Sequence, residues 1–351
     1  MRIFTLLASA ILLAANSAQA AEGIYFSHGD WELVCDNTGT CRAAGYHEDG
    51  SDMQVSVLLT RKAGPDEPVE GQLTLGTFEE KPLSSYKAPF TLTMRIDERK
   101  LGQSKVDPVS PGLSLSQGQV SALLAALRGS GVIEWVSGKH GWELSGKGAA
   151  AVLLKMDEYQ GRIGTRGALV RKGQLDEIGV RKPSPPPVVL QAQVAATRPS
   201  DNKLGAARMK ALRQALNATI KPDHCPELLS GADGKPAELS LYRLSANRML
   251  VSGRCMTGAY QASDGFWVIE DNASFRPVLV TNSAEEYDDG VISASFKGRG
   301  IGDCRNTESW TWDGRAFVHT ASSITGMCRL VTLGGTWDMP TLVTDVKKAA
   351  R

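Results

Sequence analysis

Six cysteines are the residues whose type and number carry the clearest chemistry in this sequence. An even number of cysteines in an exported chain predicts disulfides, and six cysteines permit fifteen pairings. Proximity in sequence favours Cys35 with Cys41, Cys225 with Cys255, and Cys304 with Cys328. No Cys-x-x-Cys motif occurs, and only His224 places an imidazole beside a thiol. The pattern therefore predicts three structural bridges rather than a redox or metal site.

Tryptophans form a second group with possible chemistry, and three of them define a possible ligand face: Trp267, Trp310 and Trp312. In a strand, residues two apart share one face, so Trp310 and Trp312 are expected to lie side by side. Such a face is either part of a sheet core or a platform that stacks sugars or docks a protein. The sequence leaves both readings open.

An acidic cluster surrounds Tyr287 and consists of Glu285, Glu286, Asp288 and Asp289. Carboxylates in such a cluster can bind calcium or act as the acid and base of a glycosidase. The segment lacks the Asp-x-Asp-x-Asp-Gly ladder of a calcium loop, and a charged hairpin tip accounts for it without special chemistry. The acidic cluster would supply the carboxylates if the protein were a hydrolase, which is the alternative interpretation.

Other catalytic patterns are incomplete. Ser84-Ser-Tyr-Lys87 and Ser200-Asp-Asn202 match two fragments of the penicillin-binding set, but no Lys-Thr-Gly follows. The Gly-x-Ser-x-Gly elbow, the P-loop and the dinucleotide fingerprint are absent from the sequence, and the five histidines show no metal-binding spacing. We therefore predict no catalytic residue, no metal site and no cofactor.

The first twenty residues predict export. A basic start at Arg2, an apolar run from Ile3 to Ala15 and the small-x-small site ending at Ala20 are typical of a signal peptide cleaved after Ala20. Removing residues 1–20 leaves 38 basic against 38 acidic side chains. A neutral chain with interspersed charges argues against a nucleic-acid partner and against a role at an anionic membrane surface. No later stretch is long and apolar enough for stable membrane insertion, so we expect a periplasmic protein.

Proline-rich sequence divides the exported chain. Residues 182–202 begin with Lys182-Pro-Ser-Pro-Pro-Pro187, which predicts a semi-rigid linker because clustered prolines neither continue a helix nor donate to a sheet. The predicted domains are residues 21–181 and 203–351. Their combined length exceeds the size at which a single core stops growing, which also favours two domains.

The elements predict an α+β N-terminal domain, an antiparallel sheet with two helices. Met53–Leu59 and Phe90–Ile96 are expected strands, and residues 131–144 an expected hairpin. Ser116 with Gln119 marks one helix start, and Ser145 precedes a second helix that carries Ala149 and Met156. The C-terminal domain is predicted to be mostly β, an antiparallel meander behind one leading helix from Leu204 to Asn217. Its turns are expected at Asp264-Gly265, Asp289-Gly290 and Asp313-Gly314.

Two stretches carry a resemblance to a known family. Trp31-Glu-Leu-Val-Cys35 leading to Cys41 and Tyr46, and Gly302-Asp-Cys304 followed by Trp310-Thr-Trp-Asp-Gly314, resemble the bacterial family catalogued as domain of unknown function eleven seventy-six. The N-terminal domain is also similar, more faintly, to the invasion-associated locus B family. The first resemblance implies an exported, cysteine-paired architecture, and neither supplies catalytic residues.

The sequence as a whole therefore predicts a non-enzymatic periplasmic protein that binds an unknown protein or a cell-envelope glycan. The alternative is an envelope hydrolase that acts on glycan or peptide.

Overall fold

Strands dominate the protein along its described length. The computed structural model describes residues 23–77, 83–231 and 234–349, so the predicted signal peptide lies outside the described residues. Of these residues, 41% are in strands, arranged in five separate sheets, and 13% are in helices. The predicted fold class, an α+β domain followed by a mostly-β domain, is therefore wrong. The protein is mostly β from one end of the described chain to the other.

The N-terminal part contributes ten strands, in chain order: β1 (Ile24–His28), β2 (Trp31–Cys35), β3 (Cys41–Tyr46), β4 (Val55–Arg61), β5 (Val69–Leu75), β6 (Phe90–Ile96), β7 (Arg99–Val106), β8 (Gly112–Leu115), β9 (Ile133–Ser137) and β10 (His140–Leu144). They form two antiparallel sheets. The first sheet has the order β1-β2-β3-β4-β5-β8, and the second has the order β10-β9-β6-β7. Neighbours in sequence are mostly neighbours in space, as in a meander.

Burial explains why β2 and β3 show no periodicity in the sequence. Every residue of β2 is buried, and β3 and β4 each have only one half-buried position. A strand covered on both faces shows no alternation of apolar and polar residues, so the period-2 signal disappears. The two predicted helices are real but short. They accompany ten strands, which is why they do not define the fold class.

Both helices cap the core between the two sheets. The helix α1 (Gln117–Ala126) starts with the predicted capping box, in which the Ser116 side chain accepts from the Gln119 amide and the Gln119 side chain accepts from the Ser116 amide. The helix α2 (Ala149–Tyr159) begins after Gly148 instead of Ser145. Gly148 has φ +96°, and a Cβ there would lie 1.8 Å from the His28 carbonyl oxygen. Only glycine fits this helix start.

The C-terminal part contains the helix α3 (Ala206–Asn217), close to its predicted bounds, and eleven strands: β11 (Val188–Gln191), β12 (Leu239–Arg243), β13 (Arg248–Thr257), β14 (Ala262–Glu270), β15 (Val278–Ala284), β16 (Glu286–Asp288), β17 (Val291–Lys297), β18 (Arg305–Trp312), β19 (Phe317–Ile324), β20 (Met339–Leu342) and β21 (Asp345–Lys348). The third sheet is β12-β13-β14-β15, and the fourth is β16-β17-β18-β19-β20. The described residues also include short 3-10 helices at Leu83–Ser85, Pro222–His224 and Pro226–Leu228.

Two of the three predicted Asp-Gly turns are present. Asp289-Gly290 joins β16 to β17 with both residues at positive φ, and Asp313-Gly314 joins β18 to β19. The prediction for Asp264-Gly265 is wrong, because both residues lie inside β14. A Cβ at Gly265 would lie 2.2 Å from the Trp267 ring, so this glycine makes room for the indole instead of forming a turn.

The last 25 described residues of the chain pack against the predicted linker and against the N-terminal part. Strand β21 pairs in parallel with β11, which lies inside the predicted linker. Residues 325–343, here called the closing segment, cover the outer face of the first sheet. There Val331 and Met339 are buried against Val34, Ala44 and Leu58. This contact buries the second face of the first sheet.

Candidate functional site

A cavity of about 290 Å³ lies between the edge strand of the third sheet and the hairpin β18–β19 of the fourth. Its wall combines strand residues that the sequence separates by up to 71 positions, from Arg248 to His319. The volume is close to the lower end of the range for small-molecule sites in proteins. The cavity is therefore sized for one small ligand.

An aromatic pair forms one wall of this cavity. Trp310 and His319 are cross-strand partners, and their rings stack with centroids 5.1 Å apart and planes inclined by 22°. Trp310 is 8% exposed, and Phe317 beside it is half-buried. Glu308 places a carboxylate oxygen 3.9 Å from His319 Nε2. The wall thus offers flat apolar surface with one titratable ring.

The turn after β18 fixes this geometry. Asp313 Oδ1 accepts hydrogen bonds from the backbone amides of Arg315 and Ala316, each at 2.7 Å. Gly314 takes φ +96°, a conformation that favours glycine. The tight connection places Trp312 opposite Phe317 and Trp310 opposite His319. A hairpin centred on Asp313-Gly314 is thus the sequence signal that predicts the aromatic pair.

Aliphatic side chains form the opposite wall. Val268, Val278 and Val280 come from neighbouring strands of the third sheet, and Val278 is 65% exposed at the edge. Since β15 is the last strand of its sheet, its outer side remains open to solvent. The cavity is therefore apolar in its interior and accessible from one side.

Two arginines border the same cavity. Arg248, the first residue of β13, donates a hydrogen bond from Nη1 to the Arg315 carbonyl oxygen, and the Arg315 side chain is exposed. A guanidinium presents several donors in a planar fork suited to carboxylate or phosphate. An apolar cavity with two such groups at its border suits a ligand with an apolar body and an anionic end.

The predicted ligand face is divided by the fold. Trp310 and Trp312 both belong to the core between the third and fourth sheets, where Trp310 also borders the cavity and Trp312 is 1% exposed. Trp267 lies in a different cluster beneath α3, where its Nε1 donates to Thr219 Oγ1 at 2.9 Å. Phe266 and Val268, its neighbours on β14, point to the opposite face. The three tryptophans do not form one surface.

The six cysteines form the three pairs favoured by sequence proximity, which confirms the disulfide prediction. The Cα atoms of Cys35 and Cys41 lie 3.9 Å apart, those of Cys225 and Cys255 lie 4.0 Å apart, and those of Cys304 and Cys328 lie 4.9 Å apart. Asp303 lies near the third bridge, with its ligand atom within 4.8 Å of the sulfurs. Bonded sulfurs do not ligate metals as thiolates, and Asp303 pairs with Arg299 at 2.6 Å. The group is structural.

The acidic cluster lies on an exposed hairpin. Glu286, Asp288 and Asp289 are exposed, and Glu285 accepts a hydrogen bond from the Ser295 amide at 3.0 Å. Burial raises the pKa of Tyr287, which lies between them, to about 12. These carboxylates belong to the turn and do not border the aromatic cavity.

The fragment Ser200-Asp-Asn202 of the penicillin-binding set has a structural role. Asp201 forms a salt bridge with Arg243 at 2.5 Å, and Asn202 accepts a hydrogen bond from the Leu241 amide. Arg243 further pairs with Asp271 at 2.9 Å. The polar groups of Ser200-Asp-Asn202 thus fix the segment before α3 to the third sheet.

A buried polar cluster that the sequence does not indicate connects the first sheet to the closing segment. Glu32 accepts from the Tyr46 hydroxyl at 2.8 Å and from the Met327 amide at 2.6 Å. Asp30 pairs with Arg329 at 2.7 Å. Burial raises the pKa of Glu32 above its usual range, because the desolvation outweighs its hydrogen bonds. In the sequence, the only trace of this cluster is that the charged residue Glu32 stands between the apolar residues Trp31 and Leu33, which does not reveal its partners.

Comparison with known proteins places these features in context. The family described as "Protein of unknown function (DUF1176)" matches residues 25–344. A curated relative from Escherichia coli (strain K12), "Uncharacterized protein YpfG", is 25% identical over 333 residues, which cover 90% of this chain and 89% of the relative. No solved structure matches the chain. The fainter likeness to the invasion-associated locus B family is not shown by these comparisons and stays an expectation.

Proposed function

We propose a function from the cavity itself, since this chain belongs to the family of proteins of unknown function DUF1176, which brings no activity with it. The protein acts as a non-enzymatic binding protein of the bacterial periplasm. Its ligand is a small molecule with an apolar or aromatic body and an anionic group. The observation that carries the proposal is the stacked pair of Trp310 and His319 facing aliphatic residues, with Arg248 and Arg315 at the border.

The chemistry of the walls selects the ligand. The indole of Trp310 and the side chains of Val268 and Val280 exclude water and favour an apolar body. The guanidinium groups of Arg248 and Arg315 favour a carboxylate, sulfonate or phosphate over a neutral polar end. An acidic cell-envelope sugar is a second candidate, because the C–H face of its ring can stack on the Trp310 indole although its hydroxyl groups are polar.

Two features support export to the periplasm. Residues 1–20 have the pattern of a signal peptide, and three disulfides stabilise the described part of the chain. None of the described helices is long and apolar enough to cross a membrane. Intact-mass analysis of the periplasmic fraction should find a chain that begins at Ala21, and a retained Met1 would contradict this proposal.

The positions of the acids favour binding over the hydrolase alternative. Glycoside hydrolysis needs two carboxyl groups that flank the scissile bond. The acidic cluster instead occupies an exposed hairpin. Its one half-buried carboxylate, Glu285, accepts a hydrogen bond from the Ser295 backbone amide. The proposed protein therefore captures its ligand without converting it.

Binding of matched probes tests the proposal. We expect 2-naphthoate to bind more tightly than 2-naphthalenemethanol, because the two share an apolar body and differ in charge. Arg248→Gln should weaken naphthoate binding by about tenfold, the loss expected from a charged hydrogen bond worth about 1.5 kcal/mol. Arg128→Gln, an exposed arginine in the N-terminal part, is the matched control.

A second variant separates binding from folding. Val278→Asp places a negative charge at the open edge of the cavity, where the native side chain is already 65% exposed, so the fold should tolerate it. It should abolish naphthoate binding, whereas Val132→Asp at another exposed position should not. Equal naphthoate affinity in all four variants, or no preference for naphthoate over the neutral probe, would overturn the proposal. Acidic peptidoglycan fragments, measured in parallel, test the glycan.

A further inference from the structure

An irregular segment of the N-terminal part, residues 160–182, is held rigidly from its inner side. Arg162 is fully buried and pairs with Glu177 at 2.6 Å. It also donates to the Gly64 carbonyl oxygen at 2.6 Å and to Gln160 Oε1 at 3.0 Å. The segment therefore has a fixed position although it contains only an isolated bridge between Thr165 and Leu175.

A second buried group reinforces the same inner side. The Asp157 carboxylate, at the end of α2, accepts hydrogen bonds from the amides of Leu169 and Val170 at 2.7 and 2.9 Å. Arg61 on β4 donates to the Gly167 carbonyl oxygen at 2.7 Å. Since these contacts hold the inner side of the segment, we call its exposed side chains the outer face.

That outer face exposes three large aliphatic side chains. Ile163 is 40% exposed, Leu175 is 65% exposed and Ile178 is 82% exposed. A Cβ at Gly164, next to Ile163, would lie 3.5 Å from Leu175 Cδ1, which places Ile163 and Leu175 in one neighbourhood. Apolar side chains held in water by a rigid segment are typical of an interaction surface.

Basic side chains accompany these aliphatic ones. The exposed bases of the segment are Arg166, Arg171, Lys172, Arg181 and Lys182. The exposed acids are Asp176 within the segment and Asp66 beside it, whose amide donates to Glu177. Although the whole exported chain is formally neutral, the fold collects positive charge here. We call these five bases with Ile163, Leu175 and Ile178 the basic aliphatic surface.

We propose that the basic aliphatic surface docks onto anionic phospholipid at a membrane surface. Lysine and arginine attract anionic headgroups, and the three aliphatic side chains enter the boundary between headgroups and acyl chains. A lipid boundary accepts protruding side chains without a matching shape, whereas a protein partner needs a complementary surface. This inference goes beyond the proposed ligand binding and rests on residues that do not border the aromatic cavity.

Vesicle sedimentation tests the proposal with the whole exported chain. The protein should sediment with vesicles of equal parts phosphatidylglycerol and phosphatidylcholine, and much less with phosphatidylcholine alone. Added salt should weaken the binding, because electrostatic attraction to the headgroups is screened. Equal sedimentation with both vesicles, or none with either, would overturn the proposal.

Matched double variants locate the surface. Arg171→Gln with Lys172→Gln should reduce vesicle affinity by about twenty-five-fold, because each basic side chain near an anionic surface contributes about fivefold. Lys100→Gln with Lys105→Gln, on the exposed strand β7, removes the same charge elsewhere and should have a much smaller effect. Equal losses in the two double variants would show that net charge alone acts, and would overturn the assignment to this surface.

The aliphatic part has its own test. Leu175→Ser with Ile178→Ser should abolish sedimentation, whereas Leu333→Ser with Val109→Ser, at two other exposed aliphatic positions, should preserve it. Thermal unfolding should show all variants folded, because the altered side chains are exposed. Capture of polyglutamate without vesicle binding would assign the surface to an acidic polypeptide and overturn the lipid proposal.

Discussion

The Glu32 carboxylate accepts a hydrogen bond from the backbone amide of Met327, 295 positions further along the chain, at 2.6 Å. The Tyr46 hydroxyl also donates to Glu32 and accepts from the same amide at 3.0 Å. Three polar groups thus satisfy one another in a buried contact between the first sheet and the closing segment. Their mutual dependence makes this contact sensitive to single substitutions.

Glu32→Ala should destabilise the protein by about 1–3 kcal/mol, because it removes the acceptor of the buried Tyr46 hydroxyl, whereas the Met327 amide keeps the Tyr46 oxygen as a partner at 3.0 Å. Urea unfolding at neutral pH measures the loss. Glu70→Ala, on the exposed side of β5, is the control and should change stability by less than about 0.5 kcal/mol. Equal effects of the two substitutions would mean that the closing segment does not depend on Glu32.

The raised pKa of Glu32 also predicts a pH dependence. Burial raises this pKa above 4.5 in the folded protein, so the native state holds the proton more tightly than the unfolded chain. The stabilisation that protonated Glu32 provides is complete below the pKa of the unfolded chain. It is lost as the pH rises through the pKa of the folded protein. Glu32→Gln, which stays neutral, should show a smaller decline in stability from pH 4.5 upward than the native protein. Urea unfolding at several pH values provides the measurement, and identical slopes would contradict the prediction.

Asp201 should behave in the opposite way. The hydrogen bond from Arg243 is the main cause that holds the pKa of Asp201 at about 2. Its stabilising contribution is therefore present above the unfolded value near 3.8 and is lost as pH falls toward 2. Asp201→Asn should flatten the loss of stability between pH 4 and pH 2, measured by circular dichroism in urea. Asp52→Asn, an exposed aspartate, should leave the acid limb unchanged.

Substitution of Trp312 distinguishes a core role from a ligand-binding role at the predicted ligand face. Because it is buried with Phe317 between the third and fourth sheets, Trp312→Ala should cost about 3–5 kcal/mol and lower the melting temperature. Tyr260→Ala, at a residue 69% exposed, should cost much less. A Trp312→Ala protein that keeps its melting temperature but loses naphthoate binding would show that this indole acts as a binding platform.

The predicted division at residues 182–202 can be tested by separating the chain. We predict that residues 21–202 and 203–351 fold independently under oxidising conditions and then associate. The association should follow from contacts such as Trp337 Nε1 with Ser56 Oγ at 2.7 Å and Val343 with Asn37 at 2.8 Å. Co-purification of the two fragments measures it, and Trp337→Ala should weaken it. Failure of the second fragment to fold would show that the boundary is wrong.

The sequence by itself determined the local features of this protein. The capping box at Ser116, the strand Phe90–Ile96, the turn at Asp313-Gly314 and the disulfide Cys35–Cys41 are each specified by residues close in sequence, and the other two disulfides join the cysteines that follow each other along the chain. Their signals depend on hydrogen bonds, backbone preferences and short loops, which act over a few residues or a few turns. The sequence also predicted a possible ligand face of Trp310, Trp312 and Trp267, which stays a prediction.

Tertiary structure alone decided the fold class and the cavity. The closing segment buries the second face of the first sheet, so Glu32 and Tyr46 lie in an interior that alternation in β2 and β3 cannot reveal. Likewise, Arg248 and Val278 reach Trp310 only because the third and fourth sheets pack against each other. Contacts between residues far apart in sequence arise when sheets pack, and the pattern within any one strand carries no information about its partner.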